Sequence, residues 1–111
     1  LDIARLKLML AAEDGIYLRL LELFMEKHAD ISNITEKCLQ HDDYESTIAS
    51  LHKIAGAAAT MGAIPLNRAA HTLEIELRED YITSETLKNF QQWHTQTVDT
   101  LAKLLNHKTL G

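Results

Sequence analysis

One histidine, His52, stands among residues too small to cover it, in the run Leu51-His52-Lys53-Ile54-Ala55-Gly56-Ala57-Ala58-Ala59-Thr60-Met61-Gly62-Ala63. On a helix its neighbours are Ala49, Ala55, Gly56 and Ala59, at three, four and seven residues' distance. A neutral imidazole is a competent nucleophile near pH 7. Low surroundings let a group carried by another protein reach it. Glycine inside a helix costs roughly 1 kcal/mol relative to alanine. Gly56 therefore asks for a reason, and close approach of a partner supplies one. The bland alternative is an ordinary surface histidine on a helix built from alanine, the best helix former.

The elements that must hold His52 are helices. Ile3–Ala12 reads as a short first helix, broken by Glu13-Asp14-Gly15, with Asp14 as cap of the next. That next helix is expected from about Ile16 to Leu39, with Tyr17, Leu20, Leu21, Phe24, Ile31, Ile34 and Cys38 as one buried stripe. The polar turn at Gln40–Asp43 leads into a helix over Tyr44–Met61, with Asp42 and Glu45 spaced as a capping box. Its stripe is Tyr44, Ile48, Leu51, Ala55 and Ala58, with Ile54 and Met61 on one shoulder. His52 falls about 100° from the stripe's centre. Gly62 is placed to end this helix in a left-handed conformation.

Pro65 suits the first turn of a further helix, with Ile64 extended before it. Leu66, Ala69, Ala70, Leu73 and Leu77 carry that helix to about Glu79. Ser84, backed by Glu85, caps the last helix, which bears Leu87, Phe90, His94, Thr97, Val98, Leu101 and Leu105. Four long amphipathic helices on short connections predict an all-α, antiparallel up-down four-helix bundle with a short additional N-terminal helix. No repeat, linker or low-complexity tract divides residues 1–111, so a single domain is expected.

Composition narrows the function. The 111 residues are 46% hydrophobic, which supports a folded core. The formal net charge of −5 and the lack of a basic patch argue against nucleic acid. The longest uncharged run, Ile54 to Asn67, holds Pro65 and two glycines and is too short for a membrane span. Cys38 is the only cysteine, which leaves no internal disulfide and no Cys-based zinc site and fits a reducing compartment. Leu1 in place of methionine suggests a fragment of a longer protein.

The run around His52 resembles that of histidine-containing phosphotransfer (HPt) domains. Those domains typically carry H-x-x-K-G, small residues after it, and a second glycine ten positions beyond the histidine. His52, Gly56 and Gly62 stand at those places. Leu73-Glu74 looks like the family's leucine-glutamate ending, and Phe24 like its phenylalanine on the preceding helix. One departure matters: where the family has lysine three residues after the histidine, this chain has Ala55, and Lys53 lies beside the histidine instead. Lys53 is thus either a replacement neighbour of the phosphate or a solvated charge.

The resemblance implies a phosphorelay carrier without ATP-dependent kinase activity of its own. His52 would accept a phosphoryl group from a receiver-domain aspartate and pass it to a response-regulator aspartate. The implied partners are receiver domains of a hybrid sensor kinase and of a response regulator. They would dock on the exposed faces of the helices expected at 16–39 and 44–61, over Glu45, Ala49, Ala55, Gly56, Ala59 and Thr60. No cofactor is expected on this domain, and Mg2+ is expected on the receiver. A cytoplasmic, monomeric module is implied, possessed of no membrane contact of its own, in a parent chain of the inner-membrane sensor-kinase kind.

Three other readings fit a histidine on a bundle helix. A histidine-kinase dimerisation domain usually has an acidic residue after the histidine and a proline five positions on; here those are Lys53 and Ala57. A metal-binding bundle of the di-metal kind uses Glu-x-x-His pairs. The residues three before His28, His41, His52, His71, His94 and His107 are Met25, Cys38, Ala49, Arg68, Gln91 and Leu104. His28 and His94 read instead as core-boundary histidines, and His71 with Glu74 makes half a site. A plain adaptor bundle leaves Gly56 unexplained.

Overall fold

A computed structural model of the chain describes Leu8, residues 15–40 and residues 44–110, with side chains as far as residue 106. Its helices are α1 (Ile16–His28), α2 (Ser32–Gln40), α3 (Tyr44–Met61), α4 (Ile64–Arg78) and α5 (Ser84–Leu110). They pack as an all-α bundle: α3 lies against α4, α4 against α5, and α1 against both α3 and α5, while α2 extends the first arm along α3. The short helix expected over Ile3–Ala12, and the caps expected at Asp14 and Asp42, fall outside the described residues except for Leu8.

The core is built from the expected stripes. Leu21 and Phe24 of α1, Leu51, Ile54 and Ala58 of α3, Leu66, Ala70 and Leu73 of α4, and Phe90 and Leu101 of α5 are all buried. Ala55 and Ala58 face α4 across a boundary that Ala69 and Ala70 also line, all four buried. Interaxial distance follows side-chain size at the contact. Alanine on both sides brings α3 and α4 close, which lets a carboxylate on α4 reach a histidine on α3.

The single helix expected from Ile16 to Leu39 is two. α1 stops at His28, and α2 starts at Ser32. Asp30 makes the break: its Oδ1 accepts from the Ser32 backbone N–H at 2.9 Å and from the Ser32 hydroxyl at 2.7 Å. Such an Asx turn offers the backbone an alternative to the helix ladder. The ring of His94 fills the gap from α5, its Nε2 lying 2.6 Å from the His28 carbonyl oxygen.

Turn chemistry sets the other joints. Gly62 has φ of 82°. The Gly62 N–H donates to the Ala59 carbonyl at 3.1 Å and the Ala63 N–H to the Ala58 carbonyl at 2.8 Å. These two bonds make a Schellman motif ending α3, as the glycine implied. Tyr17 of α1 donates its hydroxyl to the Met61 carbonyl and ties the same end down. Ile64 is not extended but already helical, with Pro65 in the first turn. The avoidance of helix before proline is a preference, and here the Schellman bonds aim the chain straight into α4.

The cap of α5 sits one residue before the expected Ser84. Thr83 Oγ1 accepts from the Thr86 N–H at 3.2 Å. Glu76, buried at the end of α4, accepts from the Thr83 N–H at 2.8 Å and from the Thr86 hydroxyl at 2.6 Å. Its negative charge lies at the positive end of α5.

Candidate functional site

His52 stands midway along α3 with 72% of its side chain exposed. That is more open than a position on the stripe's shoulder. The buried arc of α3 is centred on Thr47, Leu51, Ile54, Ala58 and Met61, so Ile54 and Met61 belong to the core and Tyr44 and Ile48 to its edge. This turns His52 further towards solvent. Exposed beside it on the same face are Glu45, Ala49, Gly56, Ala59 and Thr60.

Ala55 is the exception among the residues expected on the docking surface. It is 2% exposed and belongs to the α3–α4 contact. Its carbonyl oxygen accepts from Asn67 Nδ2 at 2.9 Å. Three residues beyond His52, the helix turns this position inward rather than out.

Nothing among the described residues requires a glycine at position 56. A Cβ built there would meet nothing within 4 Å, and its backbone is ordinary helix. The Thr60 hydroxyl folds back onto the Gly56 carbonyl at 3.0 Å, which keeps that side chain low against the helix.

Beneath the imidazole lies a carboxylate from α4. His52 Nδ1 is 3.3 Å from Glu74 Oε1. His71 Nδ1 is 3.4 Å from Glu74 Oε2, and an Arg78 guanidinium nitrogen is 3.5 Å from Oε1. Glu74 itself is buried, and its Oε1 accepts no hydrogen bond of good geometry. A buried oxygen left in that state, with an imidazole N–H and a guanidinium within a small rotation of it, is a poised acceptor. An ionised carboxylate can only accept. The proton of a neutral His52 therefore belongs on Nδ1, and the lone pair on Nε2. Nε2 is the ring nitrogen away from Glu74.

Lys53 leaves α3 on another side. It lines a cleft with Lys27, His28, Asp30, Asn33 and Ser50, at the corner between α1 and α2. Its charge is felt at His28, whose pKa is lowered by burial first and then by Lys27, His94 and Lys53. The basic groups that meet the His52–Glu74 pair are instead His71 and Arg78.

A family model for the Hpt domain matches residues 19–106. The chain belongs to the Hpt domain family. Comparison with curated proteins and with solved structures returned no match. An Hpt domain serves histidine phosphotransfer in two-component signalling, through interaction with receiver domains. No helix among the described residues of this Hpt domain is long and apolar enough to cross a membrane.

Among the described residues of the domain, no group of three or more His, Cys, Asp or Glu side chains is arranged to hold a metal ion. His28 and His94 sit against the aromatic core, His94 within 6.1 Å of the Phe90 ring and His28 within 5.4 Å of the Phe24 ring. Cys38 is buried, and burial pushes its thiol up to about 11, far from a reactive thiolate.

The sequence singles out His52 and Gly56, and gives Glu74 as half a site with His71 and as the ending that the resemblance implies. It does not single out Arg78. The available signal was spacing: His71, Glu74 and Arg78 stand three and four apart, on one face of α4.

Proposed function

We propose that this Hpt domain carries a phosphoryl group on Nε2 of His52, taken from the aspartyl phosphate of one receiver domain and delivered to the aspartate of another. The observation that supports it most is the His52–Glu74 contact of 3.3 Å. It favours the proton on Nδ1 and a nucleophilic Nε2 turned outward, above a surface of alanine and glycine.

The step balances as follows. The Nε2 lone pair forms the new bond to phosphorus. The bond between phosphorus and the donor's aspartate oxygen breaks, and its electron pair stays on that carboxylate. The ring keeps its Nδ1 proton and gains positive charge, which Glu74 faces directly. Return of the group to a second aspartate reverses each change. Positioning and charge account for most of such catalysis. The Mg2+ that the transfer needs is assigned to the receiver. Among the described residues Glu74 is the one carboxylate in contact with His52, and His71 and Arg78 already share it.

Exposed Ala49, Gly56, Ala59 and Thr60 form the low ground over which a receiver settles, with Glu45 at one end. The partners in this reading are the receiver of a hybrid sensor kinase and that of a response regulator. The test is to incubate the wild type and His52→Gln with a panel of phosphorylated receivers. Acid-labile, base-stable label on the wild type and none on a folded His52→Gln is the expected result. Label that survives the substitution, or no label from any receiver on the folded wild type, would overturn the reading.

A further inference from the structure

We propose that Arg78 is the cation that attends the phosphoryl group on His52. The inference rests on the reading of His52 as the acceptor. A phosphoryl group brings nearly two negative charges to Nε2 near neutral pH, in a domain of net charge −5. Transfer to that nitrogen gains from a fixed positive charge close by.

The described cations near His52 are Lys53, His71 and Arg78. Lys53 is adjacent in sequence, but its side chain lines the α1–α2 corner with His28 and Lys27. His71 holds the other oxygen of Glu74, at 3.4 Å, and is charged only when protonated. Arg78 is charged at every working pH. Its guanidinium lies 3.5 Å from Glu74 Oε1, the same oxygen that faces His52 Nδ1 at 3.3 Å. Imidazole and guanidinium therefore converge on one buried atom.

The side chain of Arg78 is 59% exposed, so its fork is free to move. One edge can keep Glu74 while the other turns to the phosphoryl oxygens, a geometry that a planar, five-donor group allows. Its helix also favours this. Arg78 is the last residue of α4, and Glu76, the other acidic residue of that helix, is buried and bonded to the start of α5.

The experiment is single-turnover phosphorylation of the wild type, Arg78→Gln, Arg78→Lys and, as a charge control on α5, Lys103→Gln. Two donors are used, a phosphorylated receiver at saturating concentration and phosphoramidate, which needs no docking surface. With both, Arg78→Gln is expected to slow labelling of His52 by about tenfold, in the range of one charge-assisted hydrogen bond. Arg78→Lys should recover most of that loss, and Lys103→Gln should match the wild type. The wild-type advantage should also shrink as salt screens the exposed guanidinium. Thermal melts confirm that each variant is folded. Unchanged rates in Arg78→Gln with a well-labelled wild type would overturn the proposal. So would a loss confined to the receiver donor, which would make Arg78 a docking residue. An unlabelled wild type would instead overturn the reading of His52 itself.

Discussion

At the scale of single residues, function shows as a cost that the fold does not require. Gly56 is exposed and helical, and an added Cβ there touches nothing among the described residues. Gly56→Ala should therefore stabilise the domain by about 0.5–1 kcal/mol through helix propensity alone. Gly56→Arg should fold as well, yet slow transfer from a receiver, because a long side chain would stand where the partner settles. Urea denaturation and labelling kinetics check the pair; wild-type transfer by a folded Gly56→Arg would remove the access argument. His52 and Gly56 were legible in the sequence because their oddity is local. Glu74 was legible only as half a site with His71 and as the resemblance's ending, and Arg78 not at all, because only the α3–α4 contact brings their helix against His52. Ala55 belongs by spacing to both the expected stripe and the expected docking surface, and the core takes it. Lys53, by its place in the sequence either a neighbour of the phosphate or a solvated charge, lines the α1–α2 corner.

At the scale of elements, the helical stripes were legible and the joints only partly so. The break between α1 and α2 was hidden because Phe24, Ile31, Ile34 and Cys38 keep helical spacing across it. A stripe records which side faces the core, and two short helices can share one. The break was written instead in Asp30 and Ser32, a polar pair whose Asx turn competes with the helix. Gly62 announced the end of α3, but the matching end of α4 carries no glycine. There Asp80 takes φ of 66°, with its N–H donating to the Leu77 carbonyl at 3.0 Å and the Tyr81 N–H to the Glu76 carbonyl at 3.1 Å. The Schellman pattern is the same, held at a conformational cost that glycine avoids. Asp80→Gly should stabilise the domain by roughly 0.5–1 kcal/mol, a net of relieved backbone strain over the greater freedom of the unfolded chain. An unchanged or lowered denaturation midpoint would show that the Asp80 side chain contributes more than its backbone costs.

At the scale of the whole molecule, the two histidines whose pKa is lowered lie on other helices than His52 and Glu74. His52 and Glu74 belong to α3 and α4, whereas His28 and His94 join α1 to α5. Burial is the largest cause of the lowered pKa at both His28 and His94. For His94, the bond to the His28 carbonyl and the nearby Asp30 oppose that shift without cancelling it. Unfolded, both rings take up protons near the ordinary histidine value of about 6.5. Folded, they resist until the pH is lower. Below that value the unfolded chain therefore holds more protons than the folded one, and the difference favours unfolding. The stability these two rings contribute is complete above about pH 6.5 and is lost as pH falls through their lowered folded values. The urea midpoint should accordingly drop between about pH 7.5 and about pH 5.5. His94→Gln should flatten that dependence, since the amide can still donate to the His28 carbonyl but does not titrate in this range. A pH profile as steep in His94→Gln as in the wild type would place the acid sensitivity elsewhere. A flattened one would locate it at the seam between α1 and α5, on the helices that carry neither His52 nor the carboxylate beneath it.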